Sequence, residues 1–152
     1  MPANKTRQSE LLGLKLMQVS DGLQTAASSL FKAHGLSAPQ YNVLRILRGA
    51  GAEALRCQEI ADRMTNRVPD ITRLLDRLVE KGLANRRRST SDRRVVKTVI
   101  TTAGSELLQS IDQPLDNQIA DHFYHCRVAD LEQLDALLDR ILAGLGEPHR
   151  ES

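Results

Sequence analysis

The stretch that decides the fold is residues 57–100, CQEIADRMTNRVPDITRLLDRLVEKGLANRRRSTSDRRVVKTVI. Its apolar residues first recur every three or four positions. This spacing predicts a short helix over about 57–64 and a second helix that opens at Pro69 and closes at Gly82. From Val95 to Ile100 the period changes to two, which is typical of a strand. Together with the arginines before it, this strand predicts a β-hairpin with a basic tip.

The second helix of this stretch has two different faces. One is an apolar stripe that we expect to be buried: Ile71, Leu74, Leu75, Leu78 and Val79. The other is polar and faces outward: Asp70, Thr72, Arg73, Asp76, Arg77 and Glu80. Two short helices joined by a polar turn at 65–67 match the helix-turn-helix, whose second helix enters the DNA major groove. Taken alone, such a polar face is more often a solvated, salt-bridged surface.

The distribution of charge favours the DNA interpretation. The whole chain carries a formal charge of only +2, whereas residues 86–97 hold six basic side chains and one acidic one. The rest of the chain is therefore acidic overall, and this polarity fits a polyanionic partner. Arginines crowded on a two-stranded ribbon repel one another, and a nearby phosphate backbone would relieve that repulsion.

Further helices flank this segment. The apolar spacing predicts a long amphipathic helix over about 9–31, and Ser37 marks the start of a second helix. After the hairpin, Thr101 or Thr102 caps a helix that contains Pro114, where we expect a bend or break. A last helix carries a heptad-like apolar seam: Leu131, Leu134, Leu138, Ile141 and Leu145. The sequence therefore predicts a mainly α-helical winged helix-turn-helix fold with a small β-hairpin wing.

Composition narrows the class of protein. A chain of 152 residues, 41% of them apolar but only 3% aromatic, fits one domain with an aliphatic core. No run approaches the roughly 18 to 20 apolar residues of a membrane span, so we expect a soluble, cytoplasmic protein without a membrane partner. The two cysteines, Cys57 and Cys126, stand far apart, which favours reduced thiols over a disulfide framework or a metal site.

Three stretches resemble the MarR family of winged helix-turn-helix transcriptional regulators. LSAPQYNVL at 36–44 looks like the family's second-helix motif, and PDITRLLDRLVEKGL at 69–83 is similar to its recognition helix. The wing signature runs through Asp92, Arg93, Arg94, Val99, Thr101, Ala103 and Gly104. Together these stretches cover about residues 36–108. The resemblance implies a sequence-specific, double-stranded DNA-binding transcriptional regulator, most often a repressor.

The resemblance also implies roles for individual residues. The major-groove face would consist of Pro69, Asp70, Thr72, Arg73 and Arg77. In the wing, Arg94 would enter the minor groove and Asp92 would orient the wing. Phosphate contacts would come from Arg86, Arg87 and Arg88, and Arg93 would also belong to the DNA-binding wing. The start of the recognition helix at 68–70 departs from the family, because many members have small hydroxyl residues there. We therefore expect a different base preference.

The resemblance divides the single chain, 1–152, into a DNA-binding lobe at 36–104 and dimerisation helices at 9–34 and 105–146. The apolar seams of the first and last helices exceed what one small lobe can cover, and pairing across a two-fold axis would bury them. We expect such a homodimer to bind a pseudo-palindromic operator with half-sites about one helical turn apart.

The family usually senses small, often aromatic, ligands in a crevice between its lobes. Five residues are candidates to line it, although core packing is the more common role for such side chains: Met17, Leu23, Phe31, Tyr41 and Phe123. A second cluster, His122, His125 and Cys126, has the spacing of a minimal metal site, but packing is the favoured interpretation and we predict no metal.

The sequence shows no Gly-rich phosphate loop, nucleophile elbow or repeated metal-ligand spacing. We therefore predict no enzymatic activity and no cofactor. Two other functions stay open. A winged helix can serve as a protein-interaction module without DNA, and Cys57, at the start of a predicted helix, makes a thiol-based redox-sensing regulator conceivable.

Overall fold

The structure is a computed structural model that describes residues 3–65, 68–88 and 95–145. These residues form six helices and three strands: α1 (Ala3–Ala33), α2 (Ala38–Gly49), β1 (Leu55–Arg56), α3 (Cys57–Arg63), α4 (Ile71–Glu80), β2 (Ala84–Arg88), β3 (Val96–Ile100), α5 (Thr102–His122) and α6 (Val128–Leu145). The prediction of a mainly α-helical fold with a small β-hairpin is confirmed. The turn residues 66–67 and the hairpin tip at 89–94 lie outside the described residues.

The strands form one antiparallel sheet in the order β1, β3, β2. Strands β2 and β3 make the predicted hairpin, with Ala84 opposite Ile100 and Arg88 opposite Val96. The sequence does not predict β1, because two residues are too few to show an alternating pattern. Leu55 of β1 is buried and pairs with Thr98 of β3, so the strand ties the hairpin to the helix-turn-helix that follows.

The core is aliphatic, as the composition predicts. Its largest fully buried side chains come from α2 to α5 and from β1: Val43, Leu44, Leu47, Leu55, Ile60, Leu75, Leu78, Leu108 and Ile111. Burying one such side chain contributes about 1.5–3 kcal/mol. The apolar stripe of α4 belongs to this core, and the core therefore fixes which face of α4 is turned outward.

Local hydrogen bonds set where two helices begin. Ser37 caps α2, because its hydroxyl accepts the Gln40 N–H while the Gln40 side chain accepts the Ser37 N–H at 3.0 Å. This start confirms the prediction. Helix α4 begins at Ile71, two residues later than predicted, because the Asp70 carboxylate accepts the Arg73 N–H at 2.9 Å and acts as the cap.

Helix α5 begins against the loop that follows α4. The Thr101 hydroxyl donates to the Gly82 carbonyl at 2.7 Å and accepts the Gly104 N–H at 3.0 Å. Gly104 packs so closely that an added Cβ would collide with the Leu83 carbonyl oxygen. The start of α5 is therefore fixed to the segment that joins the recognition helix to the wing.

We expected a bend or a break near Pro114, and the break is wrong, since α5 continues through this residue to His122. The bend stays a prediction. A proline inside a helix costs about 3 kcal/mol or more, through the lost N–H and the clash with the preceding turn. Ile111 is fully buried and Leu115 packs against the core on the other side of the proline. Their burial offsets that cost.

The chain divides into two compact units, with the boundary after Gln118. The first holds α1 to α4, the sheet and most of α5. The second holds the end of α5 and α6, and among its described residues none of α6 is buried. No described helix is long and apolar enough to cross a membrane.

Candidate nucleic-acid interface

Helices α3 and α4 form the helix-turn-helix, and the outward face of α4 is the candidate DNA-reading surface. Leu74, Leu75 and Leu78 are buried beneath it, whereas Thr72, Arg73 and Arg77 are exposed. The predicted division of α4 into two faces is confirmed in outline, although Ile71 and Val79 of the apolar stripe and Asp76 of the polar face are half-buried. The face therefore presents a hydroxyl and two guanidinium groups to solvent.

The two arginines of α4 are available as donors. They stand four residues apart, so they lie on the same side of the helix. Within the described residues neither Arg73 nor Arg77 forms an ion pair. A guanidinium fork can contact O6 and N7 of one guanine, and no carboxylate among the described residues is paired with either arginine.

The two predicted interface residues before α4 differ from the helical ones. Pro69 and Asp70 are exposed but precede the first helical residue. The Asp70 carboxylate is occupied in capping α4, where it also complements the positive end of the helix dipole. Asp70 therefore has the structural role of capping α4, which differs from the base contact that the resemblance implies.

Asp76 was expected only as part of the solvated face of α4, but it forms an ion pair with Arg86 of β2. Arg86 is one of the predicted phosphate contacts, and the structure places it against the recognition helix. The pair is partly exposed and links α4 to the wing. The sequence gives no direct signal for this pair, because it depends on how β2 packs beside α4.

The wing base, by which we mean the described hairpin residues 86–88 and 96–98, carries several basic side chains. Arg87 and Arg88 are exposed, and Arg87 stands directly opposite Lys97 across the hairpin. Like charges at opposed positions destabilise a strand pair unless a counter-charge is near. The remaining predicted wing residues, Asp92, Arg93 and Arg94, lie outside the described residues.

Behind the reading surface, a second ion pair joins α2 to α5. The Arg48 guanidinium donates to both carboxylate oxygens of Asp112, at 2.7 and 3.0 Å. These hydrogen bonds lower the pKa of Asp112 below its ordinary value. Burial raises the pKa of the neighbouring Tyr41, and Arg45 lies 5.9 Å from the Tyr41 ring centre.

The candidate ligand-crevice residues have different environments. Phe31 and Tyr41 are buried and stacked on each other, with ring centroids 4.0 Å apart. Leu23 is half-buried and Met17 is 71% exposed, while Phe123 is half-buried in the second unit. Phe31 and Tyr41 therefore fill each other's space as core residues.

Two cavities lie near α3 and α4, and neither is lined by any of the five ligand-crevice candidates. One of about 460 Å³ is lined by Gln58, Ala61, Asp62, Met64, Val68, Pro69 and Ile71. Another of about 200 Å³ is lined by Cys57, Thr72, Leu75, Arg86, Val96 and Thr98. Across the part of the chain that the structure describes, no three His, Cys, Asp or Glu side chains are grouped to hold a metal ion.

An exposed, arginine-bearing second helix, followed at once by a basic β-ribbon, defines a winged helix-turn-helix protein. Residues 36–96 match the model of the MarR family. A MarR transcription factor structure from Planctomyces limnophilus is 35% identical, covering 86% of this chain and 94% of that one, with a TM-score of 0.67. The chain belongs to the MarR family and is a DNA-binding transcriptional regulator.

Two further relatives agree with this assignment. The HTH-type transcriptional repressor YetL of Bacillus subtilis is 32% identical over 64% of this chain and 59% of its own length. The structure of the S. aureus MepR–DNA complex has a TM-score of 0.77, covering 87% of this chain and 96% of that one. At 20% identity, this second likeness concerns the fold alone.

Proposed function

We propose that the protein is a homodimeric repressor that blocks a promoter by binding a pseudo-palindromic operator, and that a small, often aromatic, ligand releases or tunes it. The observation that carries this proposal is the exposed pair Arg73 and Arg77 on α4, free of internal ion pairs among the described residues. The repressor assignment takes its support from YetL, which is named a repressor.

In this proposal α4 enters the major groove, which is about 12 Å wide and admits one helix. Arg73, Arg77 and Thr72 contact base edges or phosphates from its exposed face. Arg87 and Arg88 contact the phosphate backbone from the wing base. Arg94 enters the minor groove, with Asp92 orienting the wing and Arg93 beside it, as the family pattern implies.

The dimer is supported by apolar side chains that the chain leaves uncovered. They occur on α1 and, separately, on α6: Leu11, Leu12, Leu14, Met17, Val19, Leu137, Ile141, Leu142 and Leu145. Clustered exposed apolar surface of this kind marks an interaction site. Residues 9–34 and 105–146 would form the dimerisation lobe, and residues 36–104 the DNA-binding lobe. The two α4 helices would then meet half-sites about 34–36 Å apart.

The proposal assigns the protein no catalytic activity, because its family consists of transcriptional regulators. The proposed effector is a small, often aromatic, molecule, as the resemblance to the family implies. Because Phe31 and Tyr41 are buried against each other, this proposal assigns the effector no lining residues.

Fluorescence-anisotropy titration tests the proposal. The purified protein is titrated against a labelled duplex from upstream of its own gene and against a scrambled duplex of equal composition, each at two salt concentrations. We expect selective binding that weakens as salt rises, because phosphate contacts release counterions. Equal affinity for the two duplexes would contradict recognition of this upstream site. Absence of binding even at low salt would favour a protein-interaction module.

A further inference from the structure

Basic side chains form a row that crosses all three strands of the sheet. Arg56 of β1 stands opposite Lys97 of β3, and Lys97 stands opposite Arg87 of β2. Residues that stand opposite each other in an antiparallel sheet share one face, with Cβ atoms about 4.5–5.5 Å apart. Arg56 and Arg87 are exposed, and Lys97 is half-buried. These three residues, which we call the cationic row, therefore place their positive charges side by side on one face.

The cationic row lies on the face of the sheet that is turned away from α4. Side chains alternate along a strand, so the neighbouring residues Thr98 and Arg86 point to the opposite face. On that face Thr98 is buried, and Arg86 forms its ion pair with Asp76 of α4. The cationic row is therefore separated from the reading helix by the sheet itself.

The fold does not account for this concentration of charge. Within the described residues no member of the cationic row forms an ion pair, whereas Arg86, the neighbour of Arg87, does. The Glu59 carboxylate accepts the Arg56 backbone N–H at 2.6 Å, at the start of α3. Like charges that stand opposite each other destabilise a strand pair. The cationic row therefore costs stability, which an anionic partner would recover.

The position of the wing on DNA indicates which anion this is. In the proposed dimer, two α4 helices occupy major grooves about one helical turn apart, and one minor groove lies between them on that side of the duplex. Two strongly basic wings repel each other, so the two outer minor grooves suit them better than the shared central one. The face of the sheet that is turned away from α4 then meets the backbone beyond the operator.

We propose that the cationic row binds the phosphate backbone of duplex DNA that flanks the operator. This contact rests on the proposed function and extends it. It assigns Arg56 and Lys97 to the DNA-binding surface, and it places the backbone contact of Arg87 outside the operator. Phosphate contacts fix the position of a protein on DNA but read no bases. Flanking DNA therefore strengthens binding whatever its sequence, and the gain decreases as salt rises.

Anisotropy titrations with two duplexes test the proposal. The core duplex holds only the operator, about 20 base pairs, and the extended duplex adds about ten scrambled base pairs at each end. We expect the parent protein to bind the extended duplex about tenfold more tightly at low salt. Arg56→Gln combined with Lys97→Gln should lose this gain and keep its affinity for the core duplex. On the extended duplex, its slope of log K against log salt concentration should become shallower by up to about 3.6, because the dimer loses four contacts that contribute about 0.9 each.

Two matched variants serve as controls. Arg56→Lys combined with Lys97→Arg keeps both charges and should keep the gain from flanking DNA. Lys5→Gln combined with Arg7→Gln removes the same charge from exposed positions of α1 and should also keep the gain. Removing charge from the cationic row should leave the melting temperature unchanged or raise it, because like-charge repulsion is relieved. The melting temperature therefore separates the loss of a DNA contact from a loss of folding.

Equal affinity of the parent protein for the two duplexes would overturn the flanking contact and leave an acidic protein as the partner of this face. An equal loss of the gain in the α1 variant would make the effect one of net charge and would also overturn the proposal. A loss of affinity for the core duplex would place the cationic row on the operator itself. If the parent protein binds neither duplex, the proposed function fails as well.

Discussion

Helices α4 and α6 are both amphipathic, but the chain covers the apolar face of only one of them. On α4, Leu74, Leu75 and Leu78 are buried, and the polar face is left open. On α6, among the described residues, none is buried, and Leu142 and Leu145 are largely exposed. One chain therefore buries the apolar face of α4, whereas it leaves apolar side chains of α6 exposed, where the proposed dimer would cover them.

The largest change in stability should come from truncating a core side chain beneath α4. Leu78 is 0% exposed, so Leu78→Ala should lower the free energy of unfolding by about 2–5 kcal/mol, whatever the protein concentration. Leu142, which is 62% exposed, is the matched control. Leu142→Ala should weaken self-association alone. Urea unfolding at two protein concentrations distinguishes them. If both variants lose the same free energy of unfolding in dilute solution, the proposed difference between α4 and α6 is contradicted.

A steric test ranks second and compares two helical glycines. Gly104 of α5 has the Leu83 carbonyl in the position that a Cβ would occupy, whereas Gly144 of α6 has nothing within 4 Å. Gly104→Ala should cost about 3 kcal/mol, the upper end for overpacking. Gly144→Ala should be neutral or should stabilise by up to about 1 kcal/mol. Thermal unfolding measures both changes. A neutral Gly104→Ala would contradict the close packing at the start of α5.

The helices and strands also show which parts of the fold can be predicted from the sequence. The hairpin, the Ser37 cap and the two faces of α4 follow from local patterns, which neighbouring residues set. Strand β1 was not predicted, because Leu55 and Arg56 are a strand only through their pairing with β3. The continuity of α5 through Pro114 depends on the burial of side chains around it, which no local pattern contains.

The candidate DNA interface could likewise be predicted only in part from the sequence. The exposed arginines of α4 follow from helical spacing. The ion pair between Asp76 and Arg86 and the cavity beside Cys57 depend instead on how β2 packs against α4. That packing joins residues from separate elements, so it is decided by tertiary structure.

The third test compares the two parts of the interface. Arg94→Ala should weaken binding to every duplex by about 1–3 kcal/mol, because a minor-groove arginine senses shape and charge. Arg73→Ala should change which duplex is preferred, because major-groove contacts carry base identity. Arg7→Ala, which removes an equal charge from α1, is the control. Anisotropy against a panel of operator variants measures these changes. A uniform loss for Arg73→Ala would make it a phosphate contact.

The smallest effect concerns the ion pairs of the two units. Because Arg48 lowers the pKa of Asp112 in the folded chain, this carboxylate stabilises the fold at neutral pH. That contribution is lost as pH falls below about 4, where the unfolded carboxyl protonates. Since both side chains are partly exposed, Asp112→Asn should cost only about 0.2–1 kcal/mol at pH 7.

The control for this test is Asp130→Asn, which removes the local pair with Arg127 beside the start of α6. Urea unfolding between pH 3 and pH 7 should show a flatter acid dependence for Asp112→Asn. Arg127 also lowers the pKa of Asp130, but this pair is fully exposed, so Asp130→Asn should flatten the acid dependence less. An unchanged pH profile for Asp112→Asn would mean that its pair with Arg48 does not stabilise the fold.

The central claim is that two copies of this chain, joined through faces that one copy leaves open, present two α4 helices to one operator. Sedimentation velocity of the protein with a single labelled duplex, selected from random sequence, tests it most directly. We predict a dimer in the absence of DNA and two chains per duplex in the complex. A monomer that binds the full operator alone would contradict the claim.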